Sequence, residues 1–137
     1  MKRIVLISCV SMKLNCSAKA SDLYISPLFK KALAYGHTLN PHNIFILSAK
    51  YHLVPLDQII NPYDLTLNDM STREINAWAD KVIEQLKDKA DLDRDEFVFF
   101  AGANYRRFLT PRMKRYKIPM EGLGIGKQLR FLTQRLK

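Results

Sequence analysis

The chain has 137 residues, with 22 Lys and Arg against 13 Asp and Glu, and a formal charge of +9. Its length predicts one domain covering residues 1–137, and its apolar fraction of 47% excludes an intrinsically disordered chain. No apolar run reaches the roughly 18–20 residues that cross a bilayer, and two cysteines are too few for a disulfide scaffold. We therefore expect a soluble cytoplasmic protein with no membrane partner.

The positive charge is concentrated at the two ends of the chain. Residues 1–50 carry seven basic and one acidic side chain, and residues 101–137 carry ten and one. Residues 51–100 carry five basic and eleven acidic side chains. A segregated basic surface attracts polyanions such as nucleic acid. A solvated basic surface that only aids solubility is the alternative.

Three apolar runs predict buried strands, and predicted helices separate them. The strands are expected at residues 3–8, 43–48 and 96–101, with a short fourth strand at 117–120. Ser26 and Pro27 are typical of a helix start, and Gly36 of its end. Ser71 and Glu74 form a capping box that opens an amphipathic helix to about Ala90. Further helices are predicted at 104–114 and 127–136, and a long loop at 49–70.

This alternation predicts an α/β fold, a three-layer domain whose mainly parallel sheet of roughly three to five strands is flanked by helices. In such sheets, ligands bind beyond the carboxyl ends of the strands. The segments expected there are 9–13, 49–63, 102–107 and 121–128. The candidate site residues are therefore expected mainly in these segments.

Four sequence blocks, ISCVSMK, DLYISPLF, ILSAKYHLVPLDQIINPYDLTLNDM and EGLGIGKQL, follow one another in the chain. In this order they resemble a small family of bacterial and phage proteins. Its members share an I-S-C-x3-K start, an L-S-A-K-[YH]-G-L block, a P-Y-D-x-T-L block and a terminal G-x-G-x-[QK] element. The chain has His52 where the family has glycine. Either a backbone conformation with positive φ is lost there, or the histidine tolerates it.

The same blocks are more distantly similar to the YaaA-type peroxide-stress proteins, which bind DNA. The Cys-x3-Lys spacing also resembles the catalytic domain of archaeosine synthase, which acts on a deazaguanine base in tRNA. These resemblances imply a protein that binds nucleic acid or a nucleotide and acts on a modified base or its N-glycosidic bond. A non-catalytic DNA-binding stress or phage accessory protein and a binder of small nucleotides are the alternatives.

Three residues are candidate catalytic groups. Cys9 follows the first strand, and the nearby cation of Lys13 would favour its thiolate; lining the site or packing as a small hydrophobe are the alternatives. Asp64 could accept a proton or cap a turn. Glu121 is the only acidic residue among residues 101–137. A carboxylate such as Asp64 or Glu121 stabilises the oxocarbenium-like centre of a glycosidic cleavage, but Glu121 could also form an ion pair.

A second set of residues is predicted to hold the ligand or its phosphate. Ser26 would cap a helix whose first-turn N–H groups also suit an anion. Tyr63 either stacks on a base or packs in the core. Glycines at 124 and 126 would let the backbone approach a phosphate. The complete set is Lys13, Tyr24, Ser26, Ser48, Lys50, Tyr63, Gly124, Gly126 and Lys127.

A basic band at residues 106–117 is interleaved with aromatic residues. This composition is typical of proteins that bind unpaired nucleic acid, where bases stack on rings. A solvated helix face with the aromatic side chains packed inward is the alternative. The predicted nucleic-acid contacts are Arg106, Arg107, Arg112, Lys114 and Arg115. No metal site and no cofactor is predicted.

Overall fold

The computed structural model of the chain describes residues 1–8 and 12–137. Its described elements are, in chain order, β1 (Arg3–Ser8), β2 (Ala18–Lys19), α1 (Ala20–Leu23), α2 (Pro27–Thr38), β3 (Asn43–Ser48), β4 (His52–Pro55), β5 (Ile59–Ile60), α3 (Thr72–Lys87), β6 (Glu96–Phe100), α4 (Ala103–Arg106), β7 (Arg115–Lys117) and α5 (Ile125–Arg135). Short 3₁₀ turns cover Leu67–Asp69 and Thr110–Arg112. None of the helices in these ranges is long and apolar enough to cross a membrane.

A five-stranded sheet in the order β4-β3-β1-β6-β7 forms the centre of the fold. The central strand β1 pairs in parallel with both β3 and β6, so that Leu6 lies between Phe45 and Phe99. Strand β7 continues the parallel arrangement, whereas β4 turns back antiparallel to β3. Strands β2 and β5 form a separate two-stranded sheet. The α/β fold predicted from the sequence is confirmed.

Helices cover both faces of the sheet because alternate side chains of a strand point to opposite faces. On one face, α3 packs against Ile4, Leu6, Phe97 and Phe99. On the other, α2 and α5 pack against the intervening residues of the same strands, Val5, Ile7, Val98 and Phe100. The result is the predicted three-layer arrangement.

The helix starts follow the capping signals in the sequence. The Ser26 hydroxyl accepts the Phe29 N–H at 3.2 Å, and Pro27 occupies the first turn of α2. Both bonds of the capping box between Ser71 and Glu74 are present in α3. Helix α2 continues past Gly36 to Thr38, so its predicted end was wrong. A Cβ at Gly36 would lie 3.2 Å from the Val5 side chain, which shows that this glycine serves close helix–sheet packing.

Two further predictions were wrong around the proline residues of the last third. The predicted helix at 104–114 is limited to α4 and a 3₁₀ turn, because Pro111 has no N–H and restricts the residue before it. The fourth strand lies at 115–117 rather than 117–120, since Pro119 cannot donate to a sheet ladder. Strand β4, inside the predicted loop, was missed. The Gln85 side chain bonds to the N–H and C=O of Leu53 on this edge strand.

Candidate functional site

A cavity of about 520 Å³ opens at the carboxyl ends of β1 and β6. From β1 the chain passes through α2 to β3 on one side, and it later returns through α3 to β6 on the other side. The strand order therefore reverses between β1 and β6. Ligands of open α/β sheets bind at such a reversal, so the fold places the cavity where the sequence analysis expected a site.

The cavity wall is mostly apolar. Its apolar lining includes Phe29, Phe99, Phe100, Ile118, Met120 and Leu123, and its polar lining includes Ser8, Ser26, Asn68, Arg106 and Gln128. The floor is closed where the Gly102 N–H donates to the Ser8 hydroxyl at 3.3 Å. An apolar pocket with a few convergent polar groups is the usual form of a small-molecule site.

Arg106 supplies a fixed cation at this cavity. Its guanidinium donates to the carbonyl of Ala101 at 2.9 Å, and a second nitrogen lies 3.9 Å from a carboxylate oxygen of Glu121. The Arg106 side chain is 20% exposed and that of Glu121 66% exposed. The first contact holds the guanidinium in place, while the loose, solvated contact to Glu121 leaves it able to accept a stronger anion.

Two helices begin at the cavity. Helix α2 presents Ser26 and Pro27, and α5 presents Ile125 and Gln128. No side chain caps the N-terminus of α5, which follows Gly124. A helix N-terminus carries partial positive charge and free N–H groups. A Cβ at Gly124 or Gly126 would meet nothing within 4 Å, so the approach to the first turn of α5 is open.

Four predicted ligand residues meet in a second group, which we call the hydroxyl cluster: Lys13, Tyr24, Ser48 and Tyr63. The hydroxyls of Tyr24 and Tyr63 lie 2.6 Å apart, and Ser48 donates to Tyr63 at 3.0 Å. The Tyr51 N–H donates to Ser48 at 3.0 Å. This chain of hydrogen bonds begins at the end of β3, and its residues come from three separate segments of the sequence.

Lys13 brings a positive charge to the hydroxyl cluster. Its ammonium lies 4.5 Å from the ring centroid of Tyr63 and 5.7 Å from that of Tyr24. Within the described ranges, no carboxylate lies within 4.0 Å of this ammonium. A half-buried cation that faces aromatic rings without a carboxylate is suited to an anionic ligand.

Other predicted site residues lie outside these two groups. The side chains of Lys50, Asp64 and Lys127 are exposed, and Lys50 rests over the ring of Tyr51 at 5.4 Å. Lys127 belongs to the first turn of α5, at the rim of the cavity. Cys9, the candidate nucleophile, lies outside the described residues.

His52 adopts the left-handed backbone conformation with φ of 67°. The histidine therefore tolerates the conformation that the glycine of the resembled family would supply. Its ring stacks on Trp78, with ring centroids 6.5 Å apart. Burial, and secondarily the charge of Lys81, lower the pKa of His52 below its ordinary value.

The predicted nucleic-acid contacts do not form one surface patch. Arg106 lines the cavity, and Arg112 forms an ion pair at 3.2 Å with Asp80 of α3. Arg107 lies over the ring of Phe108, while Lys114 and Arg115 are exposed near the β7 edge of the sheet. Among the interleaved aromatic residues, Tyr105 is buried against Trp78 and Tyr116 is exposed.

Most lining residues, among them the polar Ser8, Asn68 and Gln128, were not among the predicted site residues. Ser8 ends β1, and its position at the carboxyl end of a predicted strand was a usable signal. Gln128 lies inside the quoted EGLGIGKQL block, and its side chain donates to the carbonyl of Leu123 at 2.7 Å. No sequence pattern indicated Asn68. Its side-chain oxygen accepts a hydrogen bond from the side-chain amide of Asn104, and this contact joins distant segments of the chain.

The comparison with protein families identifies the chain. A family model described as a family of unknown function, DUF6884, matches residues 4–134. The match covers nearly the whole chain, which therefore belongs to this family. Searches among curated proteins and among solved structures gave no match.

Proposed function

We propose that this member of the DUF6884 family binds a nucleotide, either free or as an unpaired residue of a nucleic acid, in the cavity at the carboxyl ends of β1 and β6. The observation that carries the proposal is the combination of an apolar cavity with Arg106 and the uncapped start of α5 at its rim. Apolar walls suit a base, and fixed positive groups suit a phosphate.

The size and chemistry of the cavity support a ligand with one flat apolar part and one anionic part. Its volume of about 520 Å³ lies in the usual range for small-molecule sites. The guanidinium of Arg106 can form two parallel bonds to a phosphate. The first-turn N–H groups of α5 would add donors from the backbone, where the glycines leave the approach open.

The distant resemblance of the sequence blocks to the DNA-binding YaaA-type proteins, and of the Cys-x3-Lys spacing to archaeosine synthase, supports the same class of ligand. The hydroxyl cluster adds a second polar region with a cation, Lys13, at the same edge of the sheet. A nucleotide offers a phosphate for one region and base or sugar polar groups for the other.

A second candidate function is cleavage or modification at the N-glycosidic bond. The position of Glu121, 3.9 Å from Arg106, favours it, because this places a carboxylate beside the cavity. Glu121→Gln should abolish base release from nucleosides or oligonucleotides, measured by chromatography, whereas Asp64→Asn and Cys9→Ala test the other two candidates. A wild-type protein that binds nucleotides without releasing a base would support the non-catalytic alternative.

The binding function is tested by calorimetric titration with nucleoside monophosphates at about 50 mM salt. Loss of a charged hydrogen-bond donor costs about 1.5–3 kcal/mol, so Arg106→Ala should weaken binding roughly 10- to 100-fold. Arg112→Ala, which removes an arginine of the same segment from an ion pair with Asp80, should leave binding unchanged. Equal effects of both variants, or no binding by the wild type, would contradict the proposal.

A further inference from the structure

Helices α2 and α5 form a layer whose charges have one sign. The helices lie side by side on one face of the sheet. They meet at the rings of Tyr35 and Phe131, whose centroids are 6.0 Å apart. Together they contain no acidic residue. Their basic residues are Lys30, Lys31, Lys127, Arg130 and Arg135.

The opposite layer shows that this arrangement is specific to one face. Helix α3 carries three acidic and three basic residues, which balance one another. Among the described residues, no carboxylate lies within 4.0 Å of any basic group of α2 or α5, whereas Asp80 of α3 pairs with Arg112. The α2–α5 face therefore carries positive charge that no carboxylate of its own helices offsets.

The composition of this face selects among polyanions. The apolar side chains of the two helices, including Phe29, Ala32 and Leu132, pack onto the sheet, and Lys30, Lys127 and Arg130 point to solvent. A helix that lies on a membrane needs an exposed apolar face, which is lacking here apart from Ile125 at the start of α5. The phenylalanine and tyrosine rings of α2 and α5 are buried or half-buried and His37 is their exposed ring, so this face offers little surface for base stacking.

We propose that the α2–α5 face binds the phosphate backbone of a nucleic acid strand through Lys30, Lys127 and Arg130. The choice of nucleic acid as the polyanion rests on the proposed function. Both helices begin at the cavity, so a strand lying on them passes the cavity mouth and can deliver one nucleotide to it. Backbone contacts carry no sequence information, so binding to this face is independent of base sequence.

The experiment compares two charge reversals with the same change in net charge. One is Lys30→Glu/Arg130→Glu on the α2–α5 face, and the matched control is Arg73→Glu/Lys81→Glu on α3, where all four side chains are exposed. Binding of a fluorescein-labelled oligothymidylate of about 20 nucleotides is measured by anisotropy as a function of salt. Each lost phosphate contact lowers the salt slope by about 0.7 for a single strand.

We expect the Lys30/Arg130 variant to lose at least 10-fold in affinity near 50 mM salt and about 1.4 in slope, at unchanged melting temperature. The control should retain the wild-type slope. Equal losses in both variants, or wild-type binding by the Lys30/Arg130 variant, would overturn the proposal. Binding to vesicles of anionic phosphatidylglycerol without binding to the oligonucleotide would overturn it in favour of a membrane surface.

Mononucleotide titration separates this inference from the proposed function. The Lys30/Arg130 variant should bind a mononucleotide as the wild type does, because neither residue lines the cavity. A specific loss of oligonucleotide binding in a protein that binds no mononucleotide would support the α2–α5 face and contradict the cavity. If the wild type binds a mononucleotide and the Lys30/Arg130 variant binds the oligonucleotide as tightly as the wild type, the cavity is supported and the α2–α5 face is contradicted.

Discussion

The strands of the central sheet use polar groups differently where they begin and where they end. We call these two sides of the sheet the amino edge and the carboxyl edge. At the amino edge, Asp95 accepts the backbone N–H groups of Lys2 and Asp91, each at 2.8 Å. Beside it, Glu96 pairs with Arg3 at 2.7 Å and with Lys117 at 3.4 Å. These bonds join the chain start to β6 and β7. They use the polar groups of this edge to hold the strands together.

At the carboxyl edge, the cations Arg106 and Lys13 lack the close carboxylate contacts seen at the amino edge. Arg106 has only a loose contact with Glu121, and the ammonium of Lys13 faces two rings. The comparison teaches that charge alone does not mark a site. Paired charges at one edge stabilise the fold, and incompletely paired cations at the other can bind a ligand. Variants at the two edges should therefore separate stability from binding.

The amino edge also holds its carboxylates ionised. Burial alone would raise the pKa of Asp95, but the N–H groups of Asp91 and Lys2 outweigh it and keep the pKa below its ordinary value. The hydrogen bond from Arg3 lowers the pKa of Glu96 against the opposing effect of burial, and Lys117 adds to the lowering. Both groups thus favour the folded state near neutral pH.

Asp95→Ala should have the largest effect on stability. The variant leaves two backbone N–H groups without their acceptor at a position where the side chain is 4% exposed. We expect a loss of about 2–4 kcal/mol in the free energy of unfolding by urea. Nucleotide affinity of the folded variant should not change. Asp93→Ala, at an exposed position of the same turn, is the control, and equal losses in both would contradict a structural role for this edge.

Ser48→Ala tests whether the hydroxyl cluster acts as a unit. The variant removes the acceptor of the Tyr51 N–H and the donor to Tyr63, and should cost about 1–2 kcal/mol. A double-mutant cycle with Tyr63→Phe should show a coupling energy of roughly 0.5–1.5 kcal/mol, measured by urea unfolding. Additive losses would mean that the two hydroxyls stabilise the fold independently.

The pH dependence of stability should reflect His52. Its pKa in the folded protein lies below the ordinary 6.5, so the neutral form is favoured. The stabilisation is complete above pH 6.5 and is lost as the pH falls through the folded value, whereas the carboxylates of Asp95 and Glu96 lose theirs at lower pH. Asparagine tolerates the same backbone conformation. His52→Asn should therefore reduce the change in melting temperature as the pH falls from 7 to the lower pH at which Asp95 and Glu96 become protonated. His37→Asn, at an exposed position of α2, should not.

Gly126→Ala should have the smallest effect on stability, and in the opposite direction. Alanine favours a helix by up to about 1 kcal/mol over glycine, and its Cβ meets nothing within 4 Å. If a phosphate approaches the first turn of α5, the added methyl group should weaken nucleotide binding several-fold. Thr133→Ala, at an exposed position later in α5, should leave affinity unchanged. An unchanged affinity in Gly126→Ala would remove this turn from the site.

Local signals accounted for much of the fold. The apolar runs of β1 and β3 and the capping box of α3 fixed these elements, since each depends on neighbouring residues. Strand β4 was missed because it is short, ends at Pro55 and depends on hydrogen bonds to β3 and to Gln85, which no local pattern reports. Helix α2 continues past Gly36, because close packing on the sheet requires a residue without a side chain there. No local sequence pattern reports such packing.

The candidate site was predictable as a set of segments but not as an arrangement. The rule for strand ends pointed to the segments that now hold Arg106, Gly124 and Glu121. It could not show that the hydroxyls of Tyr24, Ser48 and Tyr63 form a hydrogen-bonded cluster beside the ammonium of Lys13, since these contacts join distant segments of the chain. It also could not show that Arg112 pairs with Asp80, which removes this cation from the predicted basic band.

The most direct test is a crystal structure of the protein with a bound nucleoside monophosphate. We predict that the base lies against the apolar wall of the cavity at the carboxyl ends of β1 and β6, and that the phosphate contacts Arg106 and the first turn of α5. An ordered nucleotide bound elsewhere, for example against Lys114 and Arg115 at the β7 edge while the cavity holds only water, would contradict the assignment.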